Sequence, residues 1–184
     1  LATAKIQHVE LTWVEDVRQW HPGQDWIWQP GGLGVFDPGI NGLSILTEVL
    51  PHDVFVQAST LFFPSNKQAP IAASLALKSA LGFAVGVTLD WRVASASPTS
   101  EKWQISFTTD HGLIELVDGG ARCLIDSEEV AVSNSHSPYA EYEAIYREYA
   151  TLISKRTSSV DVAPLRLVAD SFMLAETRIV EAFL

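Results

Sequence analysis

The sequence predicts an α+β fold: one large, mostly antiparallel open sheet with helices packed on one face. Three observations predict it. From Val54 to Val132, short runs of alternating apolar and polar residues are separated by turn residues, the period-2 pattern of half-buried strands. Successive strands joined by tight turns pair antiparallel. Segments with helical spacing lie before and after this run rather than between its strands, the segregation expected of an α+β domain.

The elements follow in order. Leu1-Ala2-Thr3-Ala4-Lys5 reads as the last turn of a helix, with neither an initiator Met nor a signal-peptide pattern, and predicts a fragment of a longer protein. Residues 6–13 alternate and predict a strand. Glu15 to Gly34 is irregular, yet it holds Trp20, Trp26 and Trp28, three of the six tryptophans. A long loop this rich in aromatics is expected to be structured and functional. Asp37 and Pro38 suit the start of a helix that carries Ile40, Leu43, Leu46 and Leu50 inward and stops at Pro51.

Strands are expected at Val54–Phe63, Ile71–Lys78, Phe83–Val93, Trp103–Thr109 and Leu113–Val117, with shorter ones at Ala121–Ile125 and Val130–Val132. Asp110-His111-Gly112 and Asp118-Gly119-Gly120 supply turns. A helix opening at Ser137-Pro138 carries Tyr139, Tyr142, Tyr146 and Tyr149 on one face. A last helix is expected from Pro164 to Phe183, with Leu165, Val168, Phe172, Ile179 and Phe183 inward. Neither a repeat nor a linker divides residues 1–184, so they are expected to form a single domain. The small residues Ala72, Ser74 and Ala76 leave a flat sheet face, suited to a partner sheet in a homo-oligomer.

Composition narrows the function. Of 184 residues, 47% are apolar, enough for a core, yet no run approaches the roughly 18 apolar residues that span a bilayer, so no membrane role is expected. Twelve basic against 22 acidic residues give a net charge of −10 without a basic cluster, which argues against a nucleic-acid partner. A single cysteine, Cys123, excludes an internal disulfide and reads as a buried core thiol; with the acidic balance it suits the cytoplasm. His8, His52, His111 and His136 lack ligand-like spacing, and no metal is expected.

The loop and the helix after it hold the residues that could carry chemistry. Asp37 and Asn41 stand four apart, on one face at a helix start. Asp37 is equally explained as a helix cap, and Asn41 as a solvated helix residue, although its apolar neighbours suggest burial. Glu15, Asp16, Trp20 and His21 suit a sugar: carboxylate and imidazole match its hydroxyls, and an aromatic ring stacks on its apolar face. A surface acid pair beside a core Trp is the plainer account of the same residues. Gly31-Gly32-Leu33-Gly34 has the wrong order and context for a dinucleotide fingerprint.

Gly31-Gly32-Leu33-Gly34-Val35-Phe36-Asp37-Pro38-Gly39-Ile40-Asn41 resembles the glycine-rich Asp-x-Gly-x-His signature of the Gfo/Idh/MocA oxidoreductases, which lies in their C-terminal substrate domain. Asn41 departs from it, standing where most members have His. Trp13 to Trp26 resembles the same stretch of the family's aldose 1-dehydrogenase branch, whose members oxidise D-galactose or L-arabinose at C1 and also carry that Asn. Pro164 to Phe172 and Glu181-Ala182-Phe183 resemble the family's closing segment.

The resemblance implies a substrate-binding and oligomerisation domain, with NAD or NADP held mostly by an N-terminal Rossmann domain that this sequence lacks. The family's Glu-Lys-Pro lysine is missing too, since Glu101-Lys102 is followed by Trp103. The chain alone is therefore expected to be inactive. By resemblance Asp37 and Asn41 are catalytic, and Glu15, Trp20 and His21 bind the sugar. The same scaffold also serves as a non-catalytic sugar-pathway regulator that binds partner proteins, and this stands as the alternative.

Overall fold

A computed structural model describes residues 4–92, 101–130 and 140–184. Its strands are β1 (Ile6–Val14), β2 (Val54–Pro64), β3 (Ala72–Ser79), β4 (Ala84–Asp90), β5 (Lys102–Thr109), β6 (Gly112–Val117), β7 (Arg122–Ile125), β8 (Glu128–Val130) and β9 (Ala175–Val180). Its helices are α1 (Val17–Trp20), α2 (Phe36–Val49), α3 (Ala140–Lys155) and α4 (Ala163–Met173). All nine strands join one open sheet, ordered β8-β7-β6-β5-β1-β4-β3-β2-β9. The pairing is antiparallel except at β1/β4 and β2/β9.

Alternation decides which face is covered. On β1, Val9, Leu11 and Trp13 point to the helix side, and register carries the same side into Val85, Val87 and Leu89 of β4 and into Phe107 and Ile105 of β5. All eight are buried. Each contributes about 1.5–3 kcal/mol when fully withdrawn from water. Helix α2 lies over them with Phe36, Leu43 and Leu46 inward, and α4 adds Leu167 and Val168. The rings of Phe36 and Phe172 meet at 5.3 Å.

Two glycines let α2 sink onto the sheet. A β-carbon on Gly39 would lie 2.6 Å from Leu89 Cδ1, and one on Gly42 would lie 2.7 Å from Trp13 Cε3. Each glycine costs helix propensity of about 1 kcal/mol, which the close packing offsets. The opposite sheet face bears Glu10, Ser74, Ala76 and Thr88, all exposed. Ser74 and Ala76 thus lie on the uncovered side, whereas Ala72 is buried.

Several expectations need correction. The last helix ends at Met173, and Ala175–Val180 is an edge strand parallel to β2. Thr177, Ile179 and Val180 are β-branched and favour extended backbone. Ser65 N–H donates to the Val180 carbonyl at 3.0 Å, and Asn66 exchanges two hydrogen bonds with the Phe183 backbone, fixing the end of that strand. Leu165, Phe172 and Ile179 are exposed, while Val168 points inward as expected, together with Leu167 and Ser171.

Cys123 is half-buried on β7 rather than in the core. The second of the two shorter strands starts at Glu128, ahead of its expected place. Tyr142, Tyr146 and Tyr149 of α3 are exposed. Leu1–Thr3, Ser137-Pro138, Tyr139 and His136 lie outside the described residues. Among the described residues, no helix is long and apolar enough to cross a membrane.

Candidate functional site

The site forms where β1 ends. The alternation that buries Val9, Leu11 and Trp13 continues one step to Glu15, which is 4% exposed. Backbone pairing also continues, because Glu15 N–H donates to the Asp90 carbonyl at 3.0 Å and Val17 N–H to that of Trp91 at 3.3 Å. Asp16 then turns the chain. Its carboxylate accepts the Arg18 backbone N–H at 2.9 Å, capping α1, and accepts two bonds from the Arg18 guanidinium. This single turn presents Trp20 and His21.

Buried Glu15 accepts from two indoles. Trp91 Nε1–H donates to Oε1 at 3.2 Å and Trp103 Nε1–H to Oε2 at 2.9 Å. Burial pushes the Glu15 carboxyl above its ordinary range, and the nearby Glu101 charge adds to this; the two indole bonds and His21 pull the other way. His21 lies between two carboxylates, with Nε2 at 3.7 Å from Glu15 Oε1 and Nδ1 at 3.7 Å from Asp37 Oδ2. Its ring also tilts against Trp91 at 5.2 Å. At 3.7 Å these contacts are electrostatic rather than hydrogen bonds; the side-chain hydrogen bond of the ring is between Nδ1 and Gln24 Oε1, at 3.4 Å.

Asp37 is the second residue of α2, and no side chain caps that helix. The Leu33–Gly34 turn starts it instead: Phe36 N–H donates to the Leu33 carbonyl and Asp37 N–H to that of Gly34. The explanation of Asp37 as an N-cap is thereby corrected, and its carboxylate is left to face His21. Asn41, one turn on, is exposed rather than buried, because Gly42 and Leu43 take the inward face.

Trp20 is 46% exposed. Its Nε1–H donates to Glu101 Oε1 at 2.9 Å, and its ring meets Trp103 edge-on at 5.3 Å. It keeps open surface for stacking. Trp91 is fully buried, so it supports the site from behind and cannot be an exposed wall.

The structure therefore brings Glu15, His21 and Asp37 into one line, with Trp20 at the rim and Asn41 further along α2. Trp91, Trp103 and Glu101 complete the arrangement. They stand 76 to 88 residues from their partners in sequence, so no local pattern joins them. Strand alternation through Val85, Val87 and Leu89 does signal that Trp91 points inward. An open cleft of about 350 Å3 borders His21, Gln24, Trp28, Lys67 and Phe183, but neither Asp37 nor Asn41 lines it. Of the line of polar groups, only His21 borders this cleft, while Glu15 lies buried behind it.

The glycine-rich turn does not fit a dinucleotide cradle. A β-carbon on Gly32 would meet the Ile27 carbonyl oxygen at 2.5 Å, and one on Gly34 the Pro70 carbonyl oxygen at 2.3 Å. These glycines permit backbone to pack on backbone, and Val35 N–H donates to that same Pro70 carbonyl. Among the described residues, no group of His, Cys, Asp and Glu is placed to hold a metal ion.

No family model matches the chain. It is 47% identical, over 183 residues, to a galactose 1-dehydrogenase from Pseudomonas fluorescens; the match covers 100% of this chain and 57% of that protein. The crystal structure of a D-galactose-1-dehydrogenase from Rhizobium etli superimposes with a TM-score of 0.90 at 46% identity, covering 100% of this chain and 56% of that one. A 3-ketoreductase from Actinomadura kijaniata, crystallised with TDP-benzene and NADP, shares the fold at a TM-score of 0.68 and 13% identity, over 96% of this chain and 54% of its own. The chain thus spans a little over half the length of the relatives that it matches.

Proposed function

We propose, from the premise that this chain is homologous along its whole length to galactose 1-dehydrogenase, that it forms the substrate domain of an NAD(P)-dependent enzyme oxidising an aldose at C1. D-galactose or L-arabinose is the substrate and the lactone is the product. The observation that carries this reading is the convergence of His21 on Asp37 beside exposed Trp20. A hydrogen-bonding imidazole, a carboxylate and an open aromatic face match the needs of a sugar ring.

Oxidation at C1 removes a proton from the anomeric hydroxyl and a hydride from the carbon. The residues of this chain serve the proton alone. Asp37 receives the hydroxyl proton or holds the charge that favours its loss, and Asn41, which does not titrate, orients the hydroxyl. His21 donates to a neighbouring hydroxyl and Trp20 stacks on the ring. The hydride acceptor, NAD or NADP, is bound by a nucleotide domain outside these residues. The uncovered sheet face joins copies of the protein, and light scattering of the two-domain enzyme tests that assembly.

Asp37→Asn in the two-domain enzyme tests the chemistry. It keeps the shape and loses the charge, so kcat is expected to fall about 100-fold or more. Stability should fall by only about 0.3–1 kcal/mol, the value of a carboxylate in a first helical turn. A normal kcat on galactose and arabinose would reduce Asp37 to a helix-terminal charge and remove this reading.

A further inference from the structure

Among the residues placed at the site, Glu15 stands apart, because no side-chain oxygen of it faces open solvent. It is 4% exposed, and each oxygen already accepts an indole N–H, one from Trp91 beyond β4 and one from Trp103 on β5. A sugar hydroxyl could reach it only if the carboxylate gave up one of these donors and the loop opened. The oxygen held by Trp91 is also the one 3.7 Å from His21 Nε2.

We propose that Glu15 is a positioning residue: clamped by the Trp91 and Trp103 indoles, it fixes the His21 ring toward Asp37 and touches no substrate. The consequence for turnover rests on the dehydrogenase reading above; the geometry does not.

The tryptophans divide between two acids. Glu15 takes Trp91 and Trp103, while Glu101 takes Trp20. Two donors directed at two oxygens favour the ionised form, which accepts at both. A buried carboxylate then needs a positive partner, and the groups around it are few. His21 faces it from beyond α1, Glu101 from the approach to β5, and Asp37 faces the far side of His21 from α2. Neighbouring Arg18 is committed to Asp16. The imidazole is thus the basic side chain facing Glu15, and its ring rests on Trp91, which is itself bonded to Glu15. Trp91 therefore holds both the acid and the ring that the acid orients.

The test reads the clamp first and turnover second. In the 184-residue chain, the nitrogen-15 indole signals of Trp91 and Trp103 should shift together on acidification, with one midpoint above the ordinary Glu value of about 4.3. Glu15→Gln should abolish that shared transition and move the His21 ring signals. In the two-domain enzyme, Glu15→Gln should lower kcat about 10- to 100-fold, the scale of misplacing a group at the reacting centre. The sugar KM should stay within about threefold, because no sugar contact is lost. Trp103→Phe keeps one indole bond and should give a smaller loss in the same direction; it carries the test if Glu15→Gln does not fold. Independent indole titrations, or a tenfold rise in KM at unchanged kcat, would overturn the proposal. A coupled titration in a wild-type enzyme inactive on every aldose would support the clamp and overturn the dehydrogenase reading.

Discussion

Two segments of this chain are rich in exposed-looking aromatics, and the fold treats them in opposite ways. The loop from Glu15 to Gly34 carries Trp20, Trp26 and Trp28; α3 carries Tyr142, Tyr146 and Tyr149 with Ile145 and Ile153 on the same face. In the loop, Trp28 packs edge-on against buried Trp91 at 5.4 Å and meets Phe183 at 5.9 Å, and Trp20 is tied to Glu101 and Trp103. On α3 the stripe is open, with Tyr146 68% exposed. Aromatic content and periodicity therefore do not decide burial. What separates the two segments is anchoring rather than burial: distant residues supply Trp28 with a ring face and Trp20 with an acceptor, although Trp20 stays 46% exposed and Trp26 55%.

The sharpest way to break this comparison is Trp91→Ala. Trp91 is fully buried and touches Glu15, His21 and Trp28, so truncation should cost about 3–5 kcal/mol in urea unfolding. A loss below 1 kcal/mol would mean that the loop stands without its anchor.

A smaller effect separates charge from packing. Burial raises Glu15 above its ordinary value of 4.5, so the folded state binds the proton more tightly than the unfolded chain. The contribution of Glu15 to stability is therefore most favourable below 4.5 and is lost as pH rises through the raised folded value. Melting temperatures of wild type and Glu15→Gln, measured across that window, should diverge with the wild type losing more as pH rises. Parallel curves would show that the indole bonds and His21 cancel the cost of burial.

The smallest effect is expected on α3. Tyr146→Ser should change the stability of the 184-residue chain by no more than about 0.5 kcal/mol, the range for exposed positions. A loss of 2 kcal/mol would show that the tyrosine face is covered after all, and would place α3 with the loop.

Strand periodicity made much of this arrangement legible. It located β2 to β6 to within a few residues, whereas Glu15, read as a sugar ligand or a surface acid, is buried on the side of Val9, Leu11 and Trp13. The loop was recognisable as structured from its tryptophans, and Asp37 as lying at the start of α2. Ala175–Val180 was misread because its apolar residues suit either an edge strand or a helix, and the deciding hydrogen bonds belong to β2 and Asn66.

What the sequence determined by itself is local: side chains alternate along a strand and repeat every three or four residues along a helix, so the buried face of each element is written in its own residues. It placed the covered face of the sheet and the inward leucines of α2. Only the tertiary structure decided that β1 inserts between β4 and β5, and with that insertion the indoles of Trp91 and Trp103 close on one carboxylate. The physical reason is that strand pairing is a contact between segments far apart in the chain. The positions of the hydrogen-bond partners follow from that pairing, and no residue in the loop specifies them.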